Sequence, residues 1–147
     1  MDNTIGGKTE QAEINATLQR WGQAMGGKDA AAAVAELTDD VIQFTLAAPL
    51  SFEGKSAEGL AAWFTTWDGP IGGEVRDGRL TAGDTAAFWS GLMHMTGTKT
   101  DGVKVDLWFR QTLGLVKTGG KWKIAHIHTS VPFAMDGSGL AELGLKP

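Results

Sequence analysis

Histidine and carboxylate side chains on predicted strands are the residues of this sequence best suited to chemistry. His126 and His128 are two residues apart, so on a strand both would project from the same face. Neutral histidine binds metal ions and acts as an acid or a base near pH 7. His94 or Asp106 could supply a third metal ligand, but Arg110 nearby would repel a cation. We therefore expect structural or interface histidines and no metal ion.

Two other groupings could provide a general base. His94 and Asp106 become cross-strand neighbours if the turn at 100–102 is tight, and an Asp–His pair is the geometry of an oriented base. The alternative is a hydrogen-bonded pair on the surface. Asp40 follows Asp39 just before the first predicted strand, where a buried carboxylate with a raised pKa could move a proton between carbon atoms. Its alternative is ordinary turn chemistry. Asp40 and His94 are the candidate catalytic residues.

The elements that must position these residues form an α+β pattern, with helices first and antiparallel strands after. Apolar residues at helical spacing and the caps Asp29 and Ser56 mark the helices, while Gly119 and Gly120 mark the last hairpin. We expect a disordered tail over 1–8, a single domain over 9–133 and a C-terminal arm over 134–147. Helices are predicted for 9–25, 30–37 and 57–67, and strands for 41–46, 74–82, 85–97, 103–116 and 122–131.

The last hairpin has two faces, because side chains alternate along a strand. With Lys117 opposite Lys121, Arg110 would pair with His128. The odd-numbered face is nearly all apolar and should lie beneath the helices, since burial contributes roughly 25 cal/mol per Å². The even-numbered face should be outside, where polar groups and tryptophans suit a protein contact. That outer face, which would line the pocket if the sheet were inverted, carries Asp106, Trp108, Arg110, Trp122, His126 and His128.

A bent sheet over three helices would enclose a pocket lined by the apolar face. Gln111 and Thr129 would be its orienting polar groups, and the tryptophans would favour a flat, apolar, ring-containing ligand. The residues predicted to line this pocket are Trp63, Phe64, Trp67, Trp89, Met93, Phe109, Gln111, Ile127 and Thr129.

The C-terminal half resembles the NTF2-like superfamily. The pattern is R-x-T, then about ten residues, then G-K-W-x-I-x-H-x-H-x-S-x-P. It is most similar to SnoaL-like and ketosteroid-isomerase-like bacterial proteins and to the association domain of calmodulin-dependent kinase II. The resemblance covers roughly 10–133. The residues that carry it are Arg110, Thr112, Gly120, Lys121, Trp122, Ile124, His126, His128, Ser130 and Pro132.

The resemblance implies a cystatin-like cone, a bent antiparallel sheet wrapped over three helices, that dimerises through its convex surface. It also implies an Asp base near Asp40, although the phenol donor of those enzymes is missing because the chain has no Tyr. The kinase domain's pocket arginines correspond to Leu113 and Thr129 here, which argues against anion binding. The fold hosts both enzymes and assembly domains, so function has to be argued from the site.

Two functions follow as hypotheses. The first is a small-molecule-binding protein with an apolar pocket, which could be a cofactor-free isomerase, cyclase or dehydratase acting by proton transfer. Asp40 or His94 would be its base, and Gln111, Thr129 or a histidine its hydrogen-bond donor. The alternative is a non-catalytic dimerisation or association domain.

Composition limits the remaining possibilities. The chain has 147 residues, a net charge of −4 and no cysteine, which argues against nucleic-acid binding and excludes thiol chemistry. No apolar run reaches the ~20 residues of a membrane span, and the first ten residues do not read as a signal peptide. We expect a cytoplasmic homodimer that needs no cofactor and contacts neither membrane nor nucleic acid.

Overall fold

The computed structural model describes residues 5–147, and in that range three helices pack against one bent six-stranded sheet. This confirms the α+β prediction. The strand order is β2-β1-β6-β5-β4-β3, and all neighbouring strands are antiparallel except β1 and β6. The elements in chain order are α1 (Lys8–Gly26), α2 (Ala30–Ala35), β1 (Leu37–Phe44), β2 (Phe52–Glu53), α3 (Ala57–Phe64), β3 (Trp67–Ala82), β4 (Ala86–Lys99), β5 (Lys104–Thr118) and β6 (Lys121–Ser130).

Local sequence signals explain where the two short helices begin. The Asp29 carboxylate accepts a hydrogen bond from the backbone N–H of Ala32, and the Ser56 hydroxyl accepts one from Gly59. Each bond satisfies an amide that the first helical turn would leave without a partner. Helix α1 starts at Lys8, one residue before the predicted start, and Gly7 precedes it without a side-chain cap.

Residues near both ends of the described range make backbone hydrogen bonds that the sequence does not indicate. Ile5 exchanges backbone hydrogen bonds with β3, donating to Leu80 and accepting from Ala82, and Lys8 already belongs to α1. The predicted disordered tail therefore does not extend over 5–8, while residues 1–4 lie outside the described part. The C-terminal arm folds back on itself, because Ala134 and Glu142 donate to Leu140 and Pro132.

A bulge in β6 changes which residues face the core. Leu113 pairs with Ile127 but Leu115 pairs with Ile124, so β6 uses one more residue than β5 between these pairs. An extra residue in one strand reverses the alternation on one side of it. Ile124 and Trp122 therefore join the apolar face and are only 0% and 3% exposed.

Two predictions about the last hairpin are consequently wrong. The sequence predicts Trp122 on the outer surface, yet its indole is buried and its Nε1–H donates to the Glu10 carboxylate at 2.6 Å. Arg110 pairs with Ser130 rather than with His128, because the bulge and the tighter turn move the register by two residues.

Beneath α1 the apolar face forms the core of the domain. Ile14 and Thr17 of α1 are buried, and the Thr17 hydroxyl donates to the backbone oxygen of Trp122 at 3.2 Å. Val41 and Leu80 extend the same core towards the two ends of the sheet. Within residues 5–147, none of the helices has the length and apolar character needed to cross a membrane.

Candidate functional site

A cavity of about 420 Å³ lies between α1, the end of α3 and the sheet strands β3, β4 and β5. Its size falls in the range of sites for small organic molecules. Its wall is dominated by aromatic and methionine side chains, which provide an apolar and adaptable surface. These side chains are Trp21, Met25, Trp63, Trp89, Met93, Met95 and Phe109.

Strand alternation brings most of the predicted pocket residues to this cavity. Met93 pairs with Phe109 in the β4–β5 ladder, and Trp89 and Gln111 lie on the same face of their strands. We call this side of the sheet the inner face and the opposite side the outer face. That these residues bind a ligand stays a prediction. The predicted binding residues that line the cavity are Trp63, Trp89, Met93, Phe109 and Gln111.

The remaining predicted pocket residues lie outside the cavity wall. Trp67 opens β3 and is 4% exposed, with Lys99 Nζ placed 4.3 Å from the centre of its ring. Thr129 donates its hydroxyl to the backbone oxygen of Phe44 at 3.3 Å. Phe64 and Ile127 are buried in the packing between elements. None of these four residues lines the cavity.

Gln111 is the polar side chain most deeply set into the cavity wall. It is 6% exposed, and its Oε1 atom has no hydrogen-bond partner among the described residues. Leaving a buried amide oxygen unpaired costs about 1–3 kcal/mol, so native proteins rarely retain one without a reason. A ligand that hydrogen-bonds to this amide would remove the cost.

His94 is held between two carboxylates. Its Nε2 lies 2.5 Å from Asp106 Oδ1 and its Nδ1 lies 3.4 Å from Glu74 Oε2, while its ring stacks on Trp108 at 4.4 Å. The hydrogen bond to Asp106 raises the pKa of His94 and lowers the pKa of Asp106. The contact with Asp106 therefore favours the protonated imidazole, which is the form that cannot accept a proton.

The direction of the His94 side chain separates it from the cavity. His94 borders the cavity, but it pairs directly with Trp108, whereas its neighbour Met93 pairs with the inner-face residue Phe109. Alternation therefore places the imidazole on the outer face. The predicted contact with Asp106 exists, and it is a diagonal pair on the side of the sheet facing away from the cavity.

Asp40, the other predicted catalytic residue, is exposed on β1 and does not line the cavity. Its neighbour Asp39 lies 3.4 Å from Lys55 Nζ. This placement gives the carboxylate of Asp40 neither the burial nor the proximity to a bound molecule that an enzymatic base needs. Its catalytic role is not supported by the geometry.

The residues predicted to line the pocket if the sheet were inverted lie on the outer face, where they make local contacts. Arg110 donates to the Ser130 hydroxyl at 3.1 Å. His126 Nδ1 lies 2.8 Å from the backbone oxygen of Ile42, and the ring of Phe44 packs edge-on against His126 and His128. In the described part of the chain, no three His, Cys, Asp or Glu side chains are grouped to hold a metal ion.

Sequence reasoning missed the contribution of α1 and of the start of β3. Asn15, Leu18 and Gln19 border the cavity from the helix, and Ile71 to Gly73 border it from the strand. The apolar spacing of α1 indicates only which side faces inward. It does not distinguish packing against the sheet from facing an open space, so no signal in the sequence identifies these positions.

A family model described as a SnoaL-like domain matches residues 14–134 of the chain. A search of curated proteins found no match. Among solved structures, the chain is similar to an NTF2-like protein of unknown function from Pseudomonas putida KT2440. That similarity has a TM-score of 0.85 and 26% identity, and covers 96% of this chain and 99% of that one.

Two more distant structures share the fold. A ketosteroid isomerase-like protein from Erwinia carotovora atroseptica SCRI1043 has a TM-score of 0.69 and 24% identity, over 84% of this chain and 97% of that one. The association domain of C. elegans CaMKII has a TM-score of 0.67 and 17% identity, over 84% of this chain and 99% of that one. The predicted NTF2-like, cystatin-like fold is confirmed.

Proposed function

Because the chain belongs to the SnoaL-like family, we propose that it binds a small, apolar, ring-containing molecule in the cavity under α1. The observation that carries this proposal is the chemistry of the wall. Seven aromatic or methionine side chains surround about 420 Å³, and a single buried amide, that of Gln111, interrupts them. Such a site gains affinity from apolar burial and orientation from one polar contact.

Binding without catalysis fits this wall better than proton transfer does. Among the described residues that line the cavity, His94 is the only one with a titratable side chain, and its imidazole is held by Asp106 and Glu74 on the outer face. An isomerase, cyclase or dehydratase needs a base within hydrogen-bond reach of its substrate. The described residues of the cavity wall offer apolar contacts and the amides of Asn15, Gln19 and Gln111 instead.

A variant that fills the cavity tests the proposal. Gly73 lines the cavity, and a Cβ atom added to it would meet no other atom within 4 Å, so Gly73→Leu should place a side chain in the empty space. A ligand at one hundred times its Kd stabilises the protein by about 2.7 kcal/mol. We expect ring compounds from a fragment set to raise the Tm of the wild-type protein and to lose that effect with Gly73→Leu.

Gly144→Leu is the matched control, because Gly144 lies in the C-terminal arm and also has free space around it. It should respond to the same compounds as the wild type does. If no ring compound raises the Tm of the wild type, or if Gly73→Leu responds as strongly as Gly144→Leu, the cavity is not a ligand site and the proposal fails.

We also propose that the outer face forms a homodimer contact. Phe88 and Ile42 are 52% and 42% exposed there, and they lie in one row across the sheet, since Phe88 pairs with Gly114, Gly114 with His126 and His126 with Ile42. Exposed apolar side chains on one face mark contact surfaces. Sedimentation equilibrium should show a dimer that Phe88→Asp weakens. Val103→Asp, which changes an equally exposed apolar residue in the turn before β5, should leave it intact. A wild-type monomer would contradict this proposal.

A further inference from the structure

The indole of Trp89 lies across two glycines on the inner face. A Cβ atom at Gly91 would come within 2.6 Å of the six-membered ring of Trp89, and one at Gly78 would come within 3.2 Å. A side chain at either position would occupy the space that the ring now fills. The two glycines therefore let the indole lie close to the backbones of β3 and β4, where it forms part of the cavity wall.

The unpaired amide of Gln111 stands beside this ring. Gln111 is the Cα partner of Gly91 in the β4–β5 ladder, and Gly91 is the position that the Trp89 ring covers. The wall thus brings a flat aromatic surface next to a polar group whose oxygen lacks a partner among the described residues. The terminal torsion of glutamine is broad, so the amide can turn its oxygen towards the cavity.

The charges around the cavity favour a neutral ligand. None of the described residues that line it is Asp, Glu, Lys or Arg. An ion placed there would lose its hydration without gaining a partner of opposite charge, which is costly in an apolar environment. A hydroxyl or a ring N–H loses much less, and it can donate the hydrogen bond that Gln111 Oε1 lacks.

We propose that the ligand is a neutral, planar ring compound that carries a hydroxyl or ring N–H group. Its ring lies against the indole of Trp89, and its donor group binds the amide of Gln111. This inference rests on the proposed function, since it names the chemistry of the molecule that the cavity takes. It assigns Trp89 the role of a flat support and Gln111 the role of the group that selects a donor.

Matched naphthalene derivatives test this assignment. Isothermal titration at pH 7 would compare 2-naphthol, 2-methoxynaphthalene, naphthalene and the anion 2-naphthoate with the wild-type protein. A neutral hydrogen bond changes affinity about fivefold, so 2-naphthol should bind about fivefold more tightly than 2-methoxynaphthalene or naphthalene. The anion 2-naphthoate should bind more weakly than naphthalene, because the wall offers it no counter-charge.

Two variants test whether Gln111 causes the preference for 2-naphthol over naphthalene. Gln111→Leu should bind 2-naphthol and naphthalene equally, whereas Gln23→Leu should keep the fivefold preference. Gln23 is exposed on α1 and does not line the cavity, so it carries the same change outside the site. If naphthalene binds but the wild type shows no preference for 2-naphthol, or Gln111→Leu retains it, the assignment is overturned while the proposed function stands.

Two further outcomes of these experiments also test the assignment of Trp89 and Gln111. If none of the four compounds binds and no ring compound of the fragment set raises the Tm, the proposed function itself is overturned together with this inference. If Gln111→Leu does not fold, the wild-type comparison of 2-naphthol with 2-methoxynaphthalene decides alone. These two compounds have nearly the same shape and differ in whether they can donate a hydrogen bond.

Discussion

The inner and outer faces of strands β4 and β5 differ in the residues that they carry. On the inner face, Trp89, Met93 and Phe109 surround a cavity whose wall has one buried amide. On the outer face, His94 and Trp108 form a stacked pair that carboxylates and an arginine surround. The same strands therefore supply an apolar cavity wall on one side and charged, solvent-screened contacts on the other.

This difference shows that chemically reactive residue types need not lie in the cavity of a protein. Histidines and carboxylates attract attention in a sequence because they can transfer protons, but here they lie where water can solvate them. Moving these side chains into the cavity would cost desolvation free energy. A wall of apolar side chains offers no hydrogen bond or opposite charge that would compensate for this cost. The cavity is accordingly distinguished by its apolar wall and by Gln111, the one buried amide among the described residues that line it.

The largest predicted loss of stability distinguishes Trp122 from Trp108, two tryptophans that strict alternation would place on the same face. Trp122→Ala removes a buried indole and its hydrogen bond to Glu10, so we expect the free energy of unfolding to fall by about 3–5 kcal/mol. Trp108→Ala removes a half-buried ring that contacts His94 and Arg76, and about 1 kcal/mol should be lost. Urea denaturation of both variants measures the difference. Equal losses would contradict the bulge in β6.

A smaller difference in stability should distinguish alanine substitutions at Gly91 and Gly73, two glycines on the inner face. Gly91→Ala puts a methyl group against the Trp89 ring, and such overpacking costs about 1–3 kcal/mol of unfolding free energy. Gly73→Ala on β3 meets no atom within 4 Å and should cost nothing or add a little stability, since alanine suits a strand better than glycine. Thermal unfolding compares the variants. A Gly91→Ala protein as stable as the wild type would mean that the indole does not need this space.

The smallest effect concerns the outer face and depends on pH. Asp106 raises the pKa of His94, so the stability from this pair is full below the ordinary value of 6.5 and is lost as the pH rises through the higher folded pKa. The pKa of Asp106 is lowered, so its contribution is lost only as the pH falls below 3.8 through the folded pKa.

Replacing His94 therefore tests the pair within that window. His94→Gln should lower the Tm by no more than a few degrees at pH 5, because the carboxylate is largely exposed, and by less at pH 9. His128→Gln serves as the control, since the ring of His128 packs on Phe44 rather than on a carboxylate. A His94→Gln difference that grows with pH would show that the pair is not charged as described.

Much of the fold could be predicted because local signals and periodicity agree. The caps at Asp29 and Ser56, the glycines at 119–120 and the alternating strands each act over a few residues, so the sequence alone reveals them. The choice of the inner face follows from the apolar residues on alternate positions, and the structure places Phe109 and Gln111 on the cavity as that choice requires.

The remaining features depend on contacts between distant elements. The bulge in β6, opposite Gly114 and Leu115 of β5, reverses the alternation of β6. No residue type in the sequence indicates this bulge, so strict alternation puts Trp122 on the wrong side. Helical spacing assigns Trp67 to the helix before it, although it begins β3. In the first case a shift of one residue changes the face on which a side chain lies. In the second case α3 ends at Phe64, three residues before the predicted end of the helix.

By itself, the sequence determined the class of fold, the caps and turns, and the apolar character of one sheet face, because these depend on short-range geometry and on burial. The tertiary structure alone decided that a space stays open beneath α1, that the imidazole of His94 points away from it and that Gln111 is left without a partner among the described residues. The physical reason is that empty space and unmet hydrogen bonds are properties of how elements pack, and no single segment carries them.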